Sequence, residues 1–157
     1  PSFVKDLAYV IEKDGEIIAH INYSMGELKF EDESSCEALI LGPVCVDESY
    51  QNQGYGTELI NYTLKLVERD FPFVFVVGDE NYYKRFGFES ASNYELFLEG
   101  TNTDEENPFF MIKLFKEINF KKGIFSNPDV FNVDQNDVDE FDKKFEFRKK
   151  IRHENQL

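Results

Sequence analysis

The stretch from Glu37 to Val77 constrains the fold more than any other part of the chain. "EALILGPVCV", Glu37 to Val46, is rich in branched apolar residues and reads as a buried strand. Seven residues without apolar periodicity then separate it from a glycine pair, Gly54 and Gly56. Leu59, Ile60, Leu64 and Val67 follow near helical spacing, with Glu58, Lys65, Glu68 and Arg69 between them. That pattern predicts an amphipathic helix from Thr57 to about Asp70, which Pro72 helps to close. "FPFVFVVGD" is a short, almost continuous apolar run, as expected of a strand covered on both faces. Strand, helix, strand implies a parallel pair. Gly42-Pro43 interrupts the first strand, and proline cannot donate to a sheet ladder. The dipeptide therefore predicts a bulge or splay at which this strand parts from a neighbour.

The rest of the chain fits around that unit. "LAYVIEKDGEIIAHINYS" carries two β-rich runs around Asp14-Gly15, a pair that tolerates the positive φ angles of a tight hairpin turn. "ENYYKRFGF" reads as a short helix or turn, and "YELFLEG" and "NPFFMIKLF" as two strands joined by the polar loop "TNTDEEN". The fold class is therefore α/β or α+β with a mixed sheet. With 157 residues the chain suits one domain, and folding at that size buries roughly 68–70% of the unfolded surface. Residues 127–157 form an acidic C-terminal extension that turns basic in "FRKKIRHENQL". Val138, Phe141 and Phe145 fall on one side of a helix expected from about Asp137 to Ile151, with Glu140 and Lys144 as an i, i+4 pair. Its phenylalanines are expected to dock on the sheet or on a partner subunit, the latter making a homodimer.

Charge narrows the partners. Seventeen Lys and Arg against thirty-one Asp and Glu give a net charge of -14, which argues against nucleic acid and anionic membrane. Two cysteines, Cys36 and Cys45, and two histidines, His20 and His153, make neither a disulfide framework nor a metal-ligand cluster. The lack of a disulfide framework fits a cytoplasmic setting, which is expected, and the start "PSFVKDLAYV" does not read as a signal peptide.

The glycine pair is the candidate chemistry. A helix N-terminus offers unpaired backbone N–H groups and partial positive charge, an anion site, and glycines remove the side chains that would hold a phosphate away. The plainer reading is an ordinary strand-to-helix turn. A dinucleotide-binding fingerprint would need a third glycine where Leu59 stands and a shorter connection. A phosphate-binding P-loop would need Lys-Ser/Thr after Gly56, where Thr57-Glu58 stand.

Gln51-Asn52-Gln53-Gly54-Tyr55-Gly56 is similar to the acetyl-CoA signature of the Gcn5-related N-acetyltransferase (GNAT) superfamily: Gln or Arg, two residues, Gly, one residue, Gly or Ala. "NYYKRFGF" resembles the family's Tyr-x-x-x-Gly-Phe segment. "LGPVCV", "GDENYYKRFGF" and "DEFDKKF" together resemble one bacterial subfamily, and the likeness covers nearly the whole chain. The resemblance implies a mixed, mostly antiparallel sheet with a splayed central parallel pair and flanking helices. It implies transfer of an acetyl group from acetyl-CoA to a small-molecule or protein amine, without a metal. The cofactor would be held by Gln51, Asn52, Gln53, Gly54, Tyr55, Gly56 and Thr57, with the pyrophosphate on the backbone amides from about Asn52 to Thr57 and the pantetheine arm along Val44, Cys45 and Val46. Tyr83 would protonate the departing thiolate, with Tyr82 as the alternative. Family members begin with a strand and two helices that this chain lacks, so a truncated form is expected. The alternative function is a CoA-binding sensor or degenerate enzyme without turnover.

Other residues carry plainer expectations. Cys45 in an apolar strand is expected to be inert core, and His20 to be structural. Lys84 and Arg85 either meet a CoA phosphate or solvate a turn. No general base is legible, and a water-relayed carboxylate such as Glu37 remains an alternative.

Overall fold

The computed structural model describes residues 2–146. Asp14 and Gly15 both take positive φ, 52° and 83°, the conformation that matches the twist of a tight hairpin. They join β1 (Tyr9–Lys13) to β2 (Glu16–Phe30), which at 15 residues runs well past the expected hairpin. β3 (Ser35–Val46) pairs antiparallel along one edge of β2. β1 and β8 (Gly123–Ser126) share its other edge. From β3 the chain crosses through α1 (Tyr55–Asp70) to β4 (Phe73–Val77), parallel to β3 as expected. β7 (Phe110–Leu114) pairs antiparallel with β4, and β5 (Glu89–Ser90) adds to β7. β6 (Leu96–Leu98) lies parallel to β8. The sheet order is β5-β7-β4-β3-β2-β8-β6, with β1 on β2.

One face of the sheet is covered by α1, which buries Leu59, Ile60, Leu64 and Val67 against Ala19, Ile21, Tyr23, Leu39 and Leu41. Each fully buried side chain of this kind contributes about 1.5–3 kcal/mol. The other face closes on itself. Phe75 on β4 and Phe125 on β8 have ring centroids 4.8 Å apart, although β3 and β2 lie between them. A flat sheet with about 4.8 Å per strand would hold those positions about 14 Å apart, so the sheet must curl. Gly26 on β2 permits the curl, because a Cβ there would stand 2.4 Å from the Phe125 ring.

The C-terminal extension departs from expectation. α3 (Gln135–Asp142) starts earlier, where the Asp134 side chain accepts from the Asn136 N–H at 2.8 Å. It ends at Asp142 rather than Ile151, and positions 147–151 of the expected helix lie outside the described residues. Phe141 and Phe145 are 56% and 61% exposed, so they do not dock on the sheet. Asp137, Asp139, Glu140 and Asp142 crowd this helix, and its apolar side is too narrow to displace solvent. No helix among the described residues is long and apolar enough to cross a membrane.

Candidate functional site

β3 and β4 pair at two positions only, Ile40 with Phe75 and Leu41 with Val76. Immediately beyond, Gly42 takes φ 146° and leads into a cis peptide bond to Pro43. The β2–β3 register slips at the same level, between Ile21 and Tyr23. Val44, Cys45 and Val46 therefore keep Ile21, His20 and Ala19 on β2 as partners but have no strand partner among the described residues on the side β4 has left, where the Gln51 side chain reaches the Val46 carbonyl. Val44 and Val46 turn toward the α1 face. Cys45, one residue out of phase, points the other way and is exposed. This corrects the expectation of an inert core cysteine: strand alternation and the loss of β4 together uncover it. Enough protein surrounds the sulfur that burial still pushes its thiol pKa up.

The loop after β3 is held by its own side chains. Asp47 accepts from the Ser49 N–H at 2.9 Å. Gln51 Nε2 donates to the Val46 carbonyl at 3.1 Å, and Gln53 Nε2 to the Ser49 carbonyl at 3.0 Å. α1 then starts without a side-chain cap, whereas Asp79 and Asp134 cap α2 (Glu80–Tyr83) and α3. Its first N–H groups thus have no side-chain acceptor among the described residues. The two glycines differ in why they are there. Gly54 sits at φ 95° with open space where a Cβ would be, so the backbone conformation demands it. At Gly56 a Cβ would stand 3.1 Å from the Tyr82 hydroxyl and 3.4 Å from Val46 Cγ2, so close packing favours it. A cavity of about 470 Å³ opens here, lined by Val46, Tyr50, Gln51, Asn52, Gly54, Tyr55, Gly56, Thr57, Tyr82 and Arg85. Of the residues expected at the cofactor, Gln53 turns back to the loop, while Val44 and Cys45 lie outside the cavity, further back along β3.

Tyr83 is anchored at the foot of the splay. Its ring rests on Gly78, where a Cβ would meet Cε2 at 2.5 Å, and only 9% of the residue is exposed. Tyr82 meets it edge-to-face at 5.0 Å. The Tyr83 hydroxyl has no hydrogen-bond partner among the described residues, and its oxygen is not sealed from solvent as Ser2 Oγ is. Burial, then Tyr82 and Cys45, push its pKa up to about 12. Gly78 directly follows β4, so the ring packs at the end of β4 beside the splay. Behind it, Tyr23 shares a buried hydrogen bond with Thr63 at 2.8 Å, and burial lifts the Tyr23 pKa well above the usual tyrosine range.

Arg85 faces the cavity with its guanidinium over the Tyr82 ring at 4.0 Å, whereas Lys84 does not line it. His20 stands across the strands from Cys45 and Val10. Glu37 pairs with Glu27 at the other end of β3 and is remote from the splay. Gly78, Tyr50 and Tyr23 escaped sequence reasoning. The Gly-Asp pair ending the "FPFVFVVGD" run was the available signal for Gly78; isolated tyrosines gave none.

Residues 5–90, more than half of the chain, match the family described as acetyltransferase (GNAT) domain, and the chain belongs to that family. Among curated proteins, the uncharacterised N-acetyltransferase YhbS of Escherichia coli K12 is 31% identical over 86 residues, 54% of this chain and 50% of YhbS. The match thus spans half the length of that relative. The crystal structure of Escherichia coli YhbS in complex with CoA superposes with a TM-score of 0.66 at 25% identity, covering 79% of this chain and 68% of the other. A GNAT-family acetyltransferase of Brucella melitensis in complex with acetyl-CoA gives 0.57 at 25% identity, covering 78% and 66%.

Proposed function

We propose that this chain binds acetyl-CoA in the splay between β3 and β4 and transfers its acetyl group to an amine by direct attack. The observation that carries this reading is the end of β3–β4 pairing at Leu41 and Val76, which leaves strand backbone open above Tyr83. The pantetheine arm would add itself like a short strand to the edge of Val44–Val46 that β4 leaves, displacing or bonding beside the Gln51 amide at the Val46 carbonyl. The pyrophosphate would lie on the uncapped amides from Asn52 to Thr57, with the Arg85 guanidinium, already stacked on Tyr82, against it. A backbone N–H of the open edge would polarise the thioester carbonyl and hold the oxyanion of the tetrahedral intermediate.

The neutral amine attacks the carbonyl carbon, a C–N bond forms, and collapse of the intermediate breaks the C–S bond. The electron pair leaves on sulfur. Tyr83, which burial keeps protonated through the neutral range, donates to that sulfur, the acetylated nitrogen loses its extra proton to water, and the tyrosinate takes a proton back from water to complete the cycle. Burial disfavours a thiolate in this part of the protein, as the raised pKa of Cys45 indicates. A donor there therefore lowers the barrier. The acceptor is a small-molecule or protein amine.

The test measures free thiol released from acetyl-CoA across a panel of primary amines. Amine-dependent release is expected. Acetyl-CoA binding without release for any amine would instead favour a CoA-binding sensor.

A further inference from the structure

The cavity beside α1 has a second cation at its rim. Lys13, on the β1 side of the hairpin turn, holds its ammonium 5.1 Å from the Tyr50 ring centre and 5.8 Å from that of Tyr55. It donates to the Tyr55 hydroxyl at 3.3 Å. Tyr50 and Tyr55 meet edge-to-face at 6.1 Å, and both line the cavity. A long lysine side chain at a turn ordinarily samples solvent; here two rings and the Tyr55 hydroxyl draw its charge to the side of the cavity they line. Neither Lys13 nor Arg85 is ion-paired to a carboxylate among the described residues. That is notable in a chain with nearly twice as many acidic as basic residues. Asp14, next to Lys13 in the turn, is the carboxylate whose field reaches it.

The two cations stand on different supports around one opening: Arg85 on Tyr82, and Lys13 on the tyrosines that flank the loop. A ligand with one phosphate group would need one of them. CoA carries two separated anionic groups, the pyrophosphate and the ribose 3′-phosphate. With the pyrophosphate on the α1 amides and Arg85, the remaining dianion belongs at the hairpin side.

We propose that Lys13 is a specificity-determining residue that recognises the ribose 3′-phosphate of CoA. By this contact the protein selects CoA thioesters over ligands that carry pantetheine without that phosphate. The inference rests on the acetyl-CoA reading of the cavity. A local cation is needed because the chain as a whole, at -14, repels a polyanion. Screening limits that repulsion to about 8 Å at physiological salt, so one fixed charge at contact distance outweighs it.

The test is calorimetric titration of the full chain with CoA and with dephospho-CoA, which lacks only the 3′-phosphate. The unaltered protein should prefer CoA by about tenfold at low salt, the size of one good charge-assisted contact, and the preference should shrink in 1 M salt. In Lys13→Met the preference should collapse toward unity through weaker CoA binding, with dephospho-CoA affinity unchanged; Lys13→Arg should restore it. Equal affinity of the unaltered protein for the two ligands overturns the inference, as does a preference that survives in Lys13→Met. Either result would leave the acetyl-CoA reading standing. Failure of both ligands to bind would remove that reading and this inference together.

Discussion

The two halves of β3 have the same partner on one edge and opposite surroundings on the other. From Ala38 to Leu41 the strand is buried, with β2 on one edge and β4 meeting its other edge at Ile40 and Leu41. From Gly42 to Val46 it keeps β2, loses β4 and becomes half exposed. Nothing in the apolar character of "PVCV" distinguishes it from "ALIL". What differs is a Gly-Pro step that re-aims the backbone, and the consequence is an open edge of hydrogen-bonding groups beside a buried tyrosine. On the proposed reading, the closed half works as fold and the open half as site.

The largest effect that would break this contrast concerns Tyr83. Tyr83→Phe keeps the ring on Gly78 and removes the proton, so turnover in a thiol-release assay should fall about 100- to 10,000-fold with acetyl-CoA affinity little changed. Tyr82→Phe, whose ring still carries Arg85, should lose less than about tenfold. Near-normal turnover in Tyr83→Phe would make the open half a binding surface only.

Stability should show the reverse asymmetry. Phe75→Ala removes a fully buried ring beside the closed half and should cost about 3–5 kcal/mol in chemical denaturation. Val46→Ala, half-buried in the open half, should cost about 1 kcal/mol. Comparable costs would mean that the two halves are equally structural.

Alkaline pH offers a third comparison. The Tyr83 pKa is raised to about 12 in the folded protein against about 10 unfolded. Its contribution to stability is whole below pH 10 and is lost as pH rises toward 12. At about 1.4 kcal/mol per unit this amounts to about 2–3 kcal/mol. Urea midpoints from pH 8 to 11 should fall less steeply in Tyr83→Phe than in the unaltered chain, with Tyr23 and the Cys36 and Cys45 thiols, all raised by burial, supplying part of what remains.

The smallest effect separates the glycines. Gly54→Ala meets no atom but must hold φ near 95°, at a cost of about 1–2 kcal/mol. Gly54→Asn, which tolerates positive φ, should cost less. Gly56→Val instead meets the Tyr82 hydroxyl and should weaken acetyl-CoA binding in a folded protein. Unchanged affinity would remove the phosphate-cradle reading of the loop.

The parts of this molecule legible in the sequence are those set by local chemistry. Asp14-Gly15 announced the hairpin, Gly42-Pro43 the splay, and the Leu59–Val67 spacing the helix, which starts two residues earlier than expected because Tyr55 and Gly56 join its first turn. β5 and β8 were not legible. β5 has two residues and exists only as a partner for β7, while β8 depends on the space Gly26 leaves for Phe125. At the site, the glycine loop and the Tyr82-Tyr83 pair carried a recognisable pattern. The exposure of Cys45 did not, because apolar composition cannot reveal which edge of a strand lacks a neighbour. The tail helix was misjudged at its end because its charge pattern continued after the backbone had turned at Lys143.

Amide hydrogen exchange tests the central claim most directly. The N–H groups of Val44–Val46 that point away from β2 should exchange quickly in the free protein and slow by at least about tenfold when acetyl-CoA is added. Those of Leu39–Leu41 should be protected throughout. If acetyl-CoA binds and the Val44–Val46 amides exchange as before, the open edge of β3 is not where the thioester lies.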